Sequence, residues 1–166
     1  MPQAVNGGQT VGNPPVPNAP VYVAGLDGSG NLRGLLVGTD GSLTPQSVST
    51  NQTIYASAAR TADPTVVDQT NANCSGISVV INCTAVTSSP SVVFTIQGKD
   101  NLGILYALLA SVAIVGTGTT VLQVYPGITA ANNTKANALV PRTWNIKAVH
   151  GNTDSITYSV TASLIP

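Results

Sequence analysis

The chain has 166 residues, enough to bury a real core, and only 7% of them are charged, against about 25% in ordinary soluble domains. Six basic residues balance six acidic ones, all of them aspartate, so the formal net charge is zero; with no basic cluster the chain lacks the means to neutralise a nucleic-acid backbone. A chain so thinly charged is poorly protected against self-association and reads as one meant to lie against other proteins, the alternative being a neutral monomer solvated by its Ser, Thr and Asn side chains.

The chain opens on MPQAVNGGQTVGNPPVPNAP, which carries no charge and has prolines at 14, 15, 17 and 20. Proline lacks an amide proton and fixes φ, so this stretch favours an extended, polyproline-like path over helix. It cannot bury a core of its own and is either a disordered terminus or an arm laid on a partner. It has neither a charged n-region nor an apolar h-region, and is not expected to be a secretory signal.

Next comes GLDGSGNLRGLLVGTDGSL, residues 25 to 43, with two Asp-Gly pairs and acceptor side chains at Asp27, Ser29 and Asn31. A calcium loop of the EF-hand kind requires glycine at its sixth position and a bidentate glutamate at its twelfth. Counted from Asp27 those positions hold Leu32 and Gly38. Asp-Gly between short apolar runs is instead a turn sequence, which predicts strand Val21–Ala24, a turn at Asp27–Gly30, strand Leu32–Val37 and a second turn at Asp40–Gly41. Residues 1–52 are accordingly read as an extended arm with a β-hairpin, and 53–166 as the folded domain.

Beyond residue 52 the apolar residues recur with period two. Ile77, Val79, Ile81, Cys83 and Ala85 form one such series, Val92, Phe94 and Ile96 another, Trp144, Ile146 and Ala148 a third. The clearest is Ile156, Tyr158, Val160, Ala162 and Leu164, alternating with Ser and Thr. Alternation of this kind marks antiparallel strands with one buried face. Further strands are expected at Ile54–Ala58, Leu105–Leu109 and Thr120–Tyr125, with turns at 87–91, 98–103, 116–119, 126–137 and 150–154. YALLASVAIV could hold a helical turn, but GTGT follows so soon that strand is preferred. About eight short strands give an all-β fold, an antiparallel β-sandwich preceded by the arm. The longest apolar run, Ile104–Val115, is too short to span a bilayer as a helix, which needs about 20 residues.

Titratable groups are scarce. His150 is the one histidine, there is no glutamate, and the two cysteines, Cys74 and Cys83, lie nine residues apart, about 30 Å along an extended strand at ~3.3 Å per residue. An intrachain disulfide would need a bend between them, so two reduced, inert thiols are expected. A zinc site would have to gather Cys, His and Asp from scattered strands, and a nucleophile pair of Cys74 or Cys83 with His150 shows nothing to activate it. No catalytic, cofactor-binding or metal site is assigned, and no enzyme activity is expected. Sugar-binding platforms need exposed aromatics, whereas Trp144, Tyr158 and Phe94 fall in the buried phase of their strands. Tyr22, Tyr55, Tyr106 and Tyr125 remain as candidate surface anchors. Arg60 and Arg142 are expected to pair with Asp63, Asp68 or Asp154.

Three stretches, RTADPTVVDQTNANCSGISVVINCTAV, PSVVFTIQGKDNLGILYALLASVAIVGTGTTVLQVYPGIT and LVPRTWNIKAVHGNTDSITYSVTASLIP, carry an ordered set of motifs between residues 60 and 166: an Arg-Thr opening, DQTN, IQGKD, VYPG and PRTW. The set resembles a β-sandwich domain of virion structural proteins of tailed bacteriophages. The Asp-Gly-rich stretch upstream is similar to the leader of such domains. The resemblance implies a structural role without catalytic residues: a capsid decoration or cement protein, or a head-fibre, neck or tail subunit, assembled in the host cytoplasm into the virion. The implied partners are the major capsid protein or another virion protein, together with further copies of the chain, a trimer being favoured. Neither a membrane nor nucleic acid is expected as partner. In that arrangement Pro14, Pro15, Val16, Pro17, Pro20, Val21, Tyr22 and Val23 make the protein contacts, with strand addition to an exposed sheet edge as one route. A glycan-binding module is the reading from a different class.

Overall fold

The structure, a computed structural model, describes residues 23–26, 32–35, 50–71 and 73–166. The chain divides into two units, Met1–Gln46 and Ser47–Pro166. In the first, β1 (Val23–Leu26) and β2 (Leu32–Leu35) pair antiparallel, with Val23 opposite Leu35 and Leu26 opposite Leu32. The first of these strands extends past the expected end at Ala24. The turns expected at Asp27–Gly30 and Asp40–Gly41 lie outside the described residues.

The second unit is built from strands alone among the described residues: β3 (Asn51–Arg60), β4 (Gln69–Thr70), β5 (Gly76–Val86), β6 (Val92–Lys99), β7 (Leu105–Ala110), β8 (Gly118–Val124), β9 (Lys135–Ala136), β10 (Thr143–His150) and β11 (Ile156–Ile165). They form a four-stranded sheet in the order β4-β10-β6-β7 and a five-stranded sheet in the order β3-β11-β5-β8-β9. Every pairing is antiparallel except that of β8 with β9. The stretch that could have held a helical turn is β7, followed by a bridge between Val92 and Ile114.

The period-two series meet between the sheets. Ile77, Val79, Ile81 and Cys83 of β5, Val92, Phe94 and Ile96 of β6, Trp144, Ile146 and Ala148 of β10 and Ile156 to Leu164 of β11 form one core, closed by Leu122 and Val124 of β8. Trp144, Phe94 and Tyr158 are each 0% exposed, as their phase predicts. Ala85 departs from its series and is exposed. β5 carries an extra residue there, since Ala85 lies opposite Thr157 while Cys83 lies opposite Tyr158. A one-residue slip of this kind reverses which face the following side chains occupy.

The same device recurs at the margins of the sheets. On β3, Ala58, Tyr55 and Thr53 lie opposite Tyr158, Val160 and Thr161, so the strand bulges twice. On β7, Leu109 and Ala107 lie opposite the adjacent Ile96 and Gln97, which places one extra residue in β7. The other two edge strands, β4 and β9, have two residues each. A bulge twists an edge away from a regular ladder and a very short strand offers little to pair with, so each margin is poorly suited to accepting a further strand.

Candidate functional site

Of the contact residues expected from the sequence, Pro14, Pro15, Val16, Pro17, Pro20, Val21 and Tyr22 lie outside the described residues, and Val23 opens β1. The polar groups of the sandwich can be followed in detail.

The motifs spread over residues 68 to 144 converge at one end. Asn71, buried in DQTN, donates from Nδ2 to the carbonyls of Cys74 (2.7 Å) and Val140 (2.9 Å), and its Oδ1 accepts from the Cys74 amide at 2.9 Å. The Asn71 amide donates to the Arg142 carbonyl at 2.7 Å. Asp68 accepts from Lys99 Nζ at 2.6 Å and from Asn145 Nδ2 at 2.9 Å. These two bonds, with the ammonium charge of Lys99, hold its carboxyl below the usual range. Gly98 of IQGKD is glycine because Tyr106 and Pro141 occupy the space of a side chain: a Cβ there would lie 2.8 Å from Pro141 Cγ and closer still to the Tyr106 ring. In the same way Gly76 backs onto Tyr125 of VYPG. These motifs therefore lock the loops at the end where β6 and β8 finish and where β5 and β10 begin; Asn71 and Asp68 are engaged with groups of the neighbouring strands, while Gln97 Oε1 and Trp144 Nε1 are buried without a partner.

At the opposite end Arg60, His150 and Tyr158 meet. The expected pairing of Arg60 with an aspartate is not what the structure holds. Its guanidinium donates to the carbonyls of Ala56 (2.8 Å), Ala58 (3.1 Å) and Tyr158 (2.9 Å), and stacks 4.5 Å from the centroid of Tyr158 and 5.6 Å from that of Tyr55. Three carbonyls and two ring faces satisfy a planar cation without a carboxylate. Arg142 is exposed and has no carboxylate partner among the described residues, where Lys99–Asp68 is the ion pair found. Asp63 accepts instead from the His150 amide at 2.6 Å, and Asp154 from the Ser89 amide at 3.2 Å.

His150 Nε2 lies 3.3 Å from the Tyr158 hydroxyl, while its Nδ1 is buried without a partner. Burial lowers the imidazole pKa, with Arg60 adding to the effect and Asp63 opposing it. Burial pushes the Tyr158 hydroxyl up to about 12. It also raises the thiol of Cys83, which lies opposite Tyr158. Cys74 and Cys83 are both buried and not bridged to each other. Tyr55, one of the four tyrosines read as surface anchors, is 7% exposed and part of the core, where its hydroxyl donates to the Ile146 carbonyl at 2.7 Å and ties β3 to β10 across the sandwich. Tyr106 is exposed and Tyr125 half-buried. Among the described residues no three His, Cys, Asp or Glu side chains are grouped to hold a metal ion.

Two surfaces stand out. On the first four strands of the five-stranded sheet the outward rows Asn51–Ser163–Ser78–Gln123, Thr53–Thr161–Val80–Val121 and Ser159–Asn82–Thr119 contain no charge, and Lys135 of β9 follows Gln123 at the margin. At the end closed by the motifs, the β6–β7 turn displays Leu102 and Ile104, with Leu105, Tyr106 and Leu139 also exposed.

The fold and these surfaces define a β-sandwich whose described polar clusters serve its own closure and whose surface is uncharged over wide areas. No protein-family model matches the chain, and no curated protein matches it. Among solved structures it is similar to the crystal structure of PBSX exported protein XepA, with 15% identity and a TM-score of 0.46 over 87% of this chain and 48% of that one. The chain thus spans about half the length of that protein.

Proposed function

We propose that the chain is a structural protein of a tailed-bacteriophage virion, and within that class a capsid decoration protein that binds the head shell through residues 1–52. The observation that carries the reading is the ordered motif set of residues 60–166. DQTN, IQGKD and the PRTW segment pack on one another at one end of the sandwich, with VYPG beside them against Gly76, which is what a recurring structural module requires of its signature residues. The low charge supports it further, because a surface of Ser, Thr, Asn and Val loses little hydration when covered by another neutral protein. Weak binding by one arm would suffice where many copies act on one lattice. The blunted margins of both sheets make them poor acceptors of a strand from a neighbour.

Copy number in purified particles, measured by quantitative mass spectrometry against the major capsid protein, tests the reading. Decoration of the shell requires a ratio comparable with the capsid protein or a simple fraction of it. A ratio of a few copies per particle moves the chain to the neck, head fibre or tail, and absence from particles refutes a virion role. Sugar binding by the isolated protein, lost on substitution of Tyr106 or Tyr125, would instead establish a glycan-binding module.

A further inference from the structure

We propose that the β6–β7 hairpin tip, together with Tyr106 and Leu139, is the surface through which copies of this chain associate with one another. The inference goes beyond the virion reading and stands without it.

The tip is built as a rigid knob. Asp100 Oδ1 accepts from the amides of Leu102 (2.9 Å) and Ile104 (2.7 Å), the Asp100 amide donates to the Ile104 carbonyl at 3.0 Å, and Gly103 takes φ +86° to close the turn. Leu102 is held there 87% exposed and Ile104 61% exposed. Exposing two large aliphatic side chains on a turn whose backbone bonds are satisfied has no use within the sandwich. The immobilised turn keeps the ordering cost of association small. Behind the knob the Tyr106 ring lies over Gly98 beside Pro141, and Leu139, two residues before that proline, is exposed as well. Large apolar side chains exposed together at one end of a neutral protein mark a protein contact.

The rim indicates the occupant. Thr143 lies opposite Lys99 in the last rung of the β10–β6 ladder, so Arg142 and Asp100 are the next residues beyond it on the two strands. Both are exposed, and Arg142 has no carboxylate partner among the described residues. Lys99, which precedes Asp100 on β6, is already engaged by Asp68. Beside the patch, Arg142 and Asp100 are therefore a cation and an anion outside any ion pair found among the described residues. A second copy related by rotational symmetry supplies both complements at once, placing its Asp100 near Arg142 and the reverse while the apolar side chains meet.

Sedimentation velocity of the purified full-length protein at rising concentration tests this. The expected result is a reversible dimer or trimer whose dissociation midpoint rises by more than about fivefold in Leu102→Ser/Ile104→Ser, with a urea unfolding midpoint that is unchanged at concentrations where both proteins are monomeric, because neither side chain belongs to the core. Arg142→Glu should weaken association at low salt, and the loss should shrink as salt is added. A monomer at every concentration, or an oligomer that the double substitution shifts less than this, overturns the surface. An oligomer unaltered by Arg142→Glu overturns the pairing of Arg142 with Asp100 across that surface. Because no virion is involved, failure here leaves the virion reading intact, and absence from particles leaves this surface intact.

Discussion

Gly76 and Gly98 are both walled in, but by different materials. A side chain at Gly76 would meet the Cβ and backbone of Tyr125 and the carbonyl of Val124, none of which can move without bending β8. At Gly98 it would meet the far end of the exposed Tyr106 ring, which can swing, and Pro141, which cannot. Gly76→Ala should therefore cost about 3 kcal/mol and Gly98→Ala about 1 kcal/mol. Urea unfolding of the two variants checks the order, and the reverse order would contradict the packing described. His150 gives a pH signature. Its folded pKa lies below the ordinary 6.5, with burial the chief cause, so between those two values the unfolded chain binds a proton that the folded one does not. Stability is then full above pH 6.5 and declines as the pH falls toward the folded value. The decline should vanish in His150→Gln. Asp68 acts in a separate window: its pKa lies below the ordinary 3.8, so its contribution is present above that value and is lost as the pH falls through the folded one. Neither setting could be read from the sequence. Arg60 looked like a partner for aspartate, whereas carbonyl oxygens and ring faces, which leave no mark in a charge pattern, are what hold it.

At the scale of the strand, what was legible and what was not divides cleanly by regularity. β11 alternates without interruption from Ile156 to Leu164 and its buried face follows residue by residue. β5 follows its series until the bulge before Ala85. β3 has two bulges within ten residues, so NQTIYASAAR shows no clean alternation, and Tyr55 was read as a surface residue although it is a rivet between the sheets. A bulge is one uncounted residue, invisible in composition and periodicity alike. It also gives a sharp test. Deleting Ser57 removes one extra residue of β3, so Tyr55 can stay opposite Val160 in a regular ladder. The Tyr55 hydroxyl should keep its bond to Ile146, with a change of less than about 1 kcal/mol in urea unfolding. A loss of about 3 kcal/mol would show that the bulge itself is needed to aim Tyr55 into the core. The closing contacts of the motifs were legible only as a recurring set: Gly98, Tyr106 and Pro141 are far apart in sequence, and nothing in their spacing announces that they touch.

For the molecule as a whole, the sandwich holds a core of its own within residues 47–166. Deleting residues 2–24 should leave its thermal unfolding midpoint unchanged while abolishing binding to capsids. Capsid binding retained by the truncated chain would show that the arm is not the attachment. The point where the sandwich begins has a mechanical consequence. Thr50 accepts the Leu164 amide at 3.0 Å, next to the first residue of an edge strand, and Ser75 at the same end donates to the carbonyl of Pro166 at 2.9 Å. Tension drawn through the chain ahead of Thr50, against a sandwich restrained at that end, would load the bonds between β3 and β11 one after another, as a zipper is loaded, and not all together in shear. Such a joint yields at low force at its first rungs. The Tyr55 rivet, a few residues in, would be where peeling stops.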